Sequence, residues 1–163
     1  MAGLGQLLEI VERHVASIAP LSCVDAHCGV GTFTLPISRF VQSAIGLDLH
    51  SDSVLLARKN MRCNRMRNVK FLVGNLAKLG RFEADLIVLN PPRGGCWPED
   101  IEALKSIDSP HVLYISCNPT TLARDLLRLN ENYEVCSLDL VDLFPMTYHF
   151  ETVVSVHCQI FLF

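Results

Sequence analysis

Ser22-Cys23-Val24-Asp25-Ala26-His27-Cys28-Gly29-Val30-Gly31-Thr32 is a short apolar run that ends in an acid and enters a glycine-containing turn. Residues 34–41 follow with helical character, so the stretch reads as the strand–turn–helix opening of a βαβ unit. The same alternation extends outward in both directions. Before it, residues 6–19 place Leu7, Leu8, Ile10, Val11 and Val15 at helical spacing. After it, strands are predicted at 44–48, 69–73, 84–89 and 111–116. Helices are predicted at 51–64, 99–106 and 120–129, with Ser51 or Asp52 as N-cap of the first. Residues 134–140 and 151–159 read as two strands with no helix between them. This order predicts an α/β fold: a doubly wound, mostly parallel seven-stranded sheet, helices on both faces and an antiparallel strand at one edge.

The chain has 163 residues, half of them hydrophobic and 19% charged. That composition supports one packed domain and excludes intrinsic disorder as the main state. No apolar run approaches the ~20 residues of a membrane span. The N-terminus carries acids rather than a basic-then-apolar leader, so an intracellular, cytoplasmic location is expected. Seven cysteines with no CxxC pair argue against both a zinc site and a disulfide framework. A net charge of −3 is unlike a stand-alone nucleic-acid binder.

In doubly wound sheets ligands bind beyond the carboxyl ends of the strands, and the unusual residues lie there. Gly29 and Gly31 permit a tight turn and close approach of backbone to a ligand. Their spacing is not the dinucleotide fingerprint, and no Walker lysine follows. Asp48, ending the second strand, can accept both hydroxyls of a ribose. Asp25 before the loop suits an amine. Together these residues suggest S-adenosylmethionine; the alternative is a tight turn with an acid near a helix start.

Asn90-Pro91-Pro92-Arg93-Gly94-Gly95 follows the fourth strand. Its prolines stiffen the turn, and such a turn can hold a flat base beside a methyl donor. Ser116-Cys117-Asn118-Pro119-Thr120-Thr121-Leu122-Ala123 follows the fifth. Asn118 reads as N-cap and Pro119 as the first helical residue. Cys117 then stands just before a helix N-terminus, where the dipole favours a thiolate nucleophile. Glu151 starts the last strand beside apolar Phe144, Pro145 and Phe150. A carboxylate in such surroundings has a raised pKa and can act as a general base. The competing readings are a buried strand-end cysteine and an exposed edge glutamate.

Five stretches now combine: DAHCGVGTFTLPISR, GLDLHSDSVLLARKN, LNPPRGG, LYISCNPTTLARDL and DLFPMTYHFETV. In kind and order they resemble the catalytic domain of the S-adenosylmethionine-dependent RNA 5-methyluridine methyltransferases, which modify tRNA or rRNA. The resemblance runs from about residue 7 to 155 and implies a single Rossmann-like methyltransferase domain over residues 1–163. It implies that Cys117 attacks C6 of uracil and that Glu151 removes the C5 proton. It implies cofactor contacts from Asp25, His27, Gly29, Gly31, Thr32, Asp48, Asn75 and Asn90, with no metal.

The sequence departs from the family pattern at several places. Asn90 and Asn75 stand where aspartates are usual, and His27 where an aromatic is expected. The family's N-terminal RNA-binding domains and its F-x-Q-x-N segment are expected to be absent, so RNA would be delivered by a separate RNA-binding region. Arg58, Lys59, Arg62, Arg65, Arg67 and Lys70 supply 6 of the 14 basic residues; they read as a solvated face that could touch phosphates. Two alternatives stay open. One is an amino-methyltransferase on adenine or cytosine acting through the Asn-Pro-Pro turn. The other is a degenerate or truncated domain without activity. The apolar ending Gln159-Ile160-Phe161-Leu162-Phe163 reads as a final strand, a partner-facing surface or a truncation scar.

Overall fold

The computed structural model describes residues 2–80, 82–107, 109–143, 146–147 and 150–159. Phe144, Pro145, His149 and the apolar ending Ile160 to Phe163, on which several expectations rest, lie outside the described residues.

Thirteen elements occur among the described residues, in the expected alternation apart from one added helix. They are α1 (Ala2–Ile18), β1 (Ser22–Asp25), α2 (Thr34–Ile37), β2 (Ser43–Asp48), α3 (Ser51–Cys63), β3 (Val69–Val73), α4 (Leu76–Leu79), β4 (Leu86–Leu89), α5 (Pro98–Ser106), β5 (His111–Ser116), α6 (Pro119–Leu129), β6 (Tyr133–Val141) and β7 (Glu151–Cys158). The strands form one sheet in the order β3-β2-β1-β4-β5-β7-β6. The first five are parallel, and β7 runs antiparallel to both of its neighbours. The antiparallel strand therefore sits one place in from the edge, and β6 forms the edge itself.

Strand residues alternate between two cores because successive side chains point to opposite faces. Leu86 and Val88 pack with Leu7, Val11 and Val15 of α1 and Val54 and Ala57 of α3. Ile87 and Leu89 pack with Ile101 and Leu104 of α5 and Leu122 and Leu129 of α6. The central strands are apolar on both faces, so they read as continuous runs in sequence. Among the described residues, no helix is long and apolar enough to cross a membrane.

Three local expectations are corrected. The helix expected at 34–41 is one turn long. Beyond Ile37 the N–H groups of Arg39 and Phe40 reach back only three residues, and the Asn68 side chain takes the carbonyls of Ser38 and Val41. The N-cap of α3 is His50 rather than Ser51 or Asp52, and its backbone N–H is held by Asp48 Oδ1 at 2.8 Å. The fourth strand starts two residues late. Asp85 is occupied instead in accepting the N–H groups of Leu21 and Ser22 at 2.8 and 2.9 Å. Helix α4, a single turn after Asn75, was not anticipated.

Candidate active site

The loop after β1 is tied to both neighbouring strands. Ala26 N–H donates to Val88 O at 2.9 Å, and Cys28 N–H to Leu47 O at 2.8 Å. Gly29 adopts φ 53°, which turns its N–H onto Asp48 Oδ2 at 3.0 Å. Asp48 thus fixes the loop with one oxygen and the start of α3 with the other. Asp25 is fully buried beneath the loop, where Thr34 Oγ1 donates to it at 2.6 Å. Burial raises its pKa from 3.8 to about 6, against the lowering effect of its hydrogen bonds.

That shift has a measurable consequence. A carboxyl whose pKa is higher in the folded than in the unfolded chain favours folding most when protonated. Its contribution is complete below pH ~4 and is lost as pH rises through ~6. Asp25→Asn is therefore expected to stabilise the ligand-free chain at pH 7, by about 1–2 kcal/mol, and to give no gain at pH 4. Thermal melts of both proteins at the two pH values check this; an equal effect at both would refute it.

A cavity of about 310 Å³ opens at the carboxyl ends of β1, β2 and β4. Four expected residues line it: His27, Asp48, Asn75 and Asn90. Leu49, His50, Pro92, Trp97 and Asp100 complete much of its wall, and the sequence reading did not single these out as site residues. Leu49 and His50 could have been inferred from their place directly after Asp48. Trp97 and Asp100 carried no local signal. Gly29 meets the site through Asp48, whereas Asp25 lies below it. Gly31 and Thr32 face a different depression, with Val30, Arg39 and Asn60.

Two buried polar atoms among the described residues have no hydrogen-bond partner, His27 Nδ1 and Asn75 Oδ1. Both belong to residues of this cavity, and burying a polar atom unpaired is costly. They are the atoms a polar ligand would satisfy. Burial lowers the His27 pKa from 6.5 to about 4, with Asp48 opposing, so its imidazole is neutral at pH 7. Its Nε2 is 4.0 Å from Asp100 Oδ2. That separation from a neutral ring is no ion pair, and burial raises the Asp100 pKa in agreement.

A second cluster is tied to the turn that gives Asn90 and Pro92 to this cavity. Asn118 caps α6 as expected, accepting Thr120 N–H at 3.1 Å through its side chain. Its Nδ2 also donates to Arg93 O at 3.1 Å, and Thr121 Oγ1 donates to the same carbonyl at 3.3 Å. The Asn-Pro-Pro-Arg turn is thereby clasped to the helix that follows Cys117. Ser116 pairs with Thr152 across β5 and β7, and Thr152 Oγ1 donates to Ser116 O at 2.9 Å. Cys117 directly follows Ser116 at the end of β5, and Glu151 directly precedes Thr152 as the first residue of β7. Cys117 is half-buried. Burial raises the Glu151 pKa while the Arg93 charge pulls it down.

Cys117 and Glu151, the thiol and carboxylate that the sequence resemblance singled out, each adjoin the Ser116–Thr152 pair. The tRNA (uracil-5-)-methyltransferase family model matches residues 73–159, more than half the chain. The chain belongs to that family. Residues 6–95 also match the methyltransferase small domain. An uncharacterized RNA methyltransferase of Gloeobacter violaceus is 42% identical over 92% of this chain and 33% of its own length. One of Clostridium tetani is 35% identical over 94% of this chain and 35% of its own. The chain thus spans about a third of the length of these curated relatives. The tRNA (uracil-54, C5)-methyltransferase of Pyrococcus abyssi, solved with S-adenosyl-L-homocysteine, superimposes with a TM-score of 0.81. It is 28% identical, over 93% of this chain and 38% of that one.

Proposed function

We propose that this chain is the catalytic domain of an RNA methyltransferase that uses S-adenosylmethionine to methylate C5 of uridine in tRNA or rRNA. What supports this reading is the register of β5 and β7, whose Ser116–Thr152 pair has Cys117 and Glu151 as its chain neighbours, together with two unsatisfied polar atoms in the cavity beyond β1, β2 and β4. Family membership and the Pyrococcus neighbour support it. The cavity suits the cofactor's adenosine. Asp48 presents a carboxylate for the ribose, Asn75 a free acceptor for an N–H donor and His27 a neutral ring nitrogen. When bound, the cofactor supplies an electrophilic methyl group.

The chain's own residues act on the base. Cys117 Sγ, as thiolate, adds to C6 of uracil, and the C5–C6 pair of electrons becomes nucleophilic at C5. Once C5 carries the methyl group, Glu151 removes the C5 proton. The C6–S bond then breaks, the double bond returns and Cys117 is free. A carboxylate with a raised pKa is a stronger base for that proton than an exposed one. Asn90 can donate to or accept from the base edge. RNA delivery would fall to a region outside this span. Methylation of an exocyclic nitrogen instead would leave Cys117 and Glu151 without a task, and product analysis separates the two.

Glu151→Gln tests the reading at the elimination step. With uridine RNA and S-adenosylmethionine, the variant should accumulate a covalent protein–RNA adduct on denaturing gels. Release of 5-methyluridine should fall by about 10²–10⁴-fold, the usual contribution of a general base. Turnover at the wild-type rate with no adduct would overturn the assignment.

A further inference from the structure

A second depression, of about 260 Å³, adjoins the cofactor cavity. Its walls include Gly94, Gly95, Arg124 and Arg128, and it shares Pro92 and Trp97 with the cavity. The two spaces therefore meet at the turn after β4, which Asn118, the residue after Cys117, holds through Arg93 O. Trp97 is 55% exposed although it is the largest side chain of the wall. Its backbone is fixed at the start of α5, where its carbonyl accepts the N–H groups of Asp100 and Ile101. The result is an anchored backbone that carries a largely uncovered indole.

The opposite wall is cationic. Arg124 Nη2 donates to Gly94 O at 2.8 Å, and its Nε to Asp125 Oδ1 at 3.0 Å. Arg128 Nη1 lies 3.6 Å from that same oxygen. Asp125 is fully buried, and its other oxygen is taken by Cys96 N–H and Tyr114 Oη. One carboxylate thus serves two half-exposed guanidiniums, which leaves a positive charge on the groove. Gly95, at φ 81°, lies under this pair, and a Cβ there would meet Arg124 and Asp125. In contrast, Arg58 of the basic run on α3 is committed to the carbonyl of Phe71 through two nitrogens.

We propose that this groove binds an unpaired RNA nucleotide flanking the target uridine, its base stacked on Trp97 and its phosphate on Arg128 and Arg124. An exposed aromatic face beside fixed guanidiniums is how proteins hold single-stranded RNA without reading its sequence. Position supports the assignment, since Asn118, next to Cys117, and Thr121 both bond Arg93 O, in the same turn that gives Pro92 and Gly94 to the groove. The inference rests on the RNA-methyltransferase reading.

Trp97 is the chain's sole tryptophan, so its emission reports on the groove directly. The chain is first saturated with S-adenosyl-L-homocysteine, because Trp97 also lines that cavity. It is then titrated with a short, fluorescein-labelled, uridine-containing single-stranded oligoribonucleotide. Saturable quenching of Trp97 is expected. By anisotropy, Trp97→Ala should weaken binding about tenfold. Arg128→Gln should lower the slope of log affinity against log salt by about 0.7, one phosphate contact on a single strand. Both residues are exposed, and melting curves confirm that the variants fold. Binding without change in Trp97 emission, or no binding of the oligoribonucleotide, overturns the proposal. The readout is independent of chemistry, so Cys117→Ala should quench like the wild type. Quenching without a covalent adduct on 5-fluorouridine RNA would defeat the catalytic reading and leave the groove standing; an adduct without quenching would do the reverse.

Discussion

Cys117→Ala abolishes both methyl transfer to uridine RNA and the covalent adduct expected with 5-fluorouridine RNA. Fluorine at C5 cannot leave as a proton does, so the wild type should stop as a protein–RNA adduct with its C6–S bond intact. Alanine has no atom to form that bond, and the rate should fall on the order of 10⁴-fold or more, as when other nucleophiles are removed. Cys117→Ser is the sharper control. It preserves shape at the junction of β5 and α6, where Asn118 and Pro119 set the backbone. A hydroxyl is a far weaker nucleophile than a thiolate, so serine should be nearly as inactive as alanine. Neither change touches the wall of the cofactor cavity. S-adenosyl-L-homocysteine affinity should therefore stay within about twofold, which separates lost chemistry from lost folding. Either variant retaining turnover within tenfold of wild type would remove Cys117 from the mechanism.

Asp48→Ala should cost about 100-fold or more in S-adenosyl-L-homocysteine affinity by calorimetry. Its carboxylate has several tasks in a small space. One oxygen holds Gly29 N–H at 3.0 Å, the other holds His50 N–H at 2.8 Å, and the side chain faces the cavity. Hydrogen bonds to a charged group contribute about 1.5–3 kcal/mol each, so losing one such bond to the ligand and loosening the glycine loop together account for the effect. Asp48→Asn keeps one acceptor oxygen and should fall less, by roughly tenfold. Unchanged affinity in Asp48→Ala would move the cofactor elsewhere. The depression by Val30, Thr32 and Arg39 would then become the place to look.

Much of this molecule is legible along the chain because its strands and helices announce themselves by local period. β1, β3 and β5 begin and end where their apolar runs do, and Asn118 caps α6 as its side chain predicts. Asp48, His27, Asn75 and Asn90 were legible for the same reason: each ends or follows a strand whose carboxyl end faces the ligand side of the sheet. Local signals failed where distant groups decide. Residues 38–41 have helical composition, yet Asn68, thirty residues from Ser38, takes carbonyls that a longer helix would have used. Thr32 sits in the expected loop, but it lines the depression with Arg39 rather than the cavity with Asp48.

By itself the sequence determined the alternating fold and the family, and it supplied the thiol and carboxylate of the proposed chemistry. Those follow from side-chain type and spacing over a few residues, which bias local backbone conformation directly. Only the tertiary structure decided that β7 inserts between β5 and β6, and so that Thr152, next to Glu151, pairs with Ser116, next to Cys117. It alone brought Trp97 and Asp100 into the cavity wall and set two arginines on one buried carboxylate. Strand neighbours are chosen by hydrogen-bond ladders and by burial of both sheet faces together. Those gains are shared among residues far apart in the chain, so no local period records them.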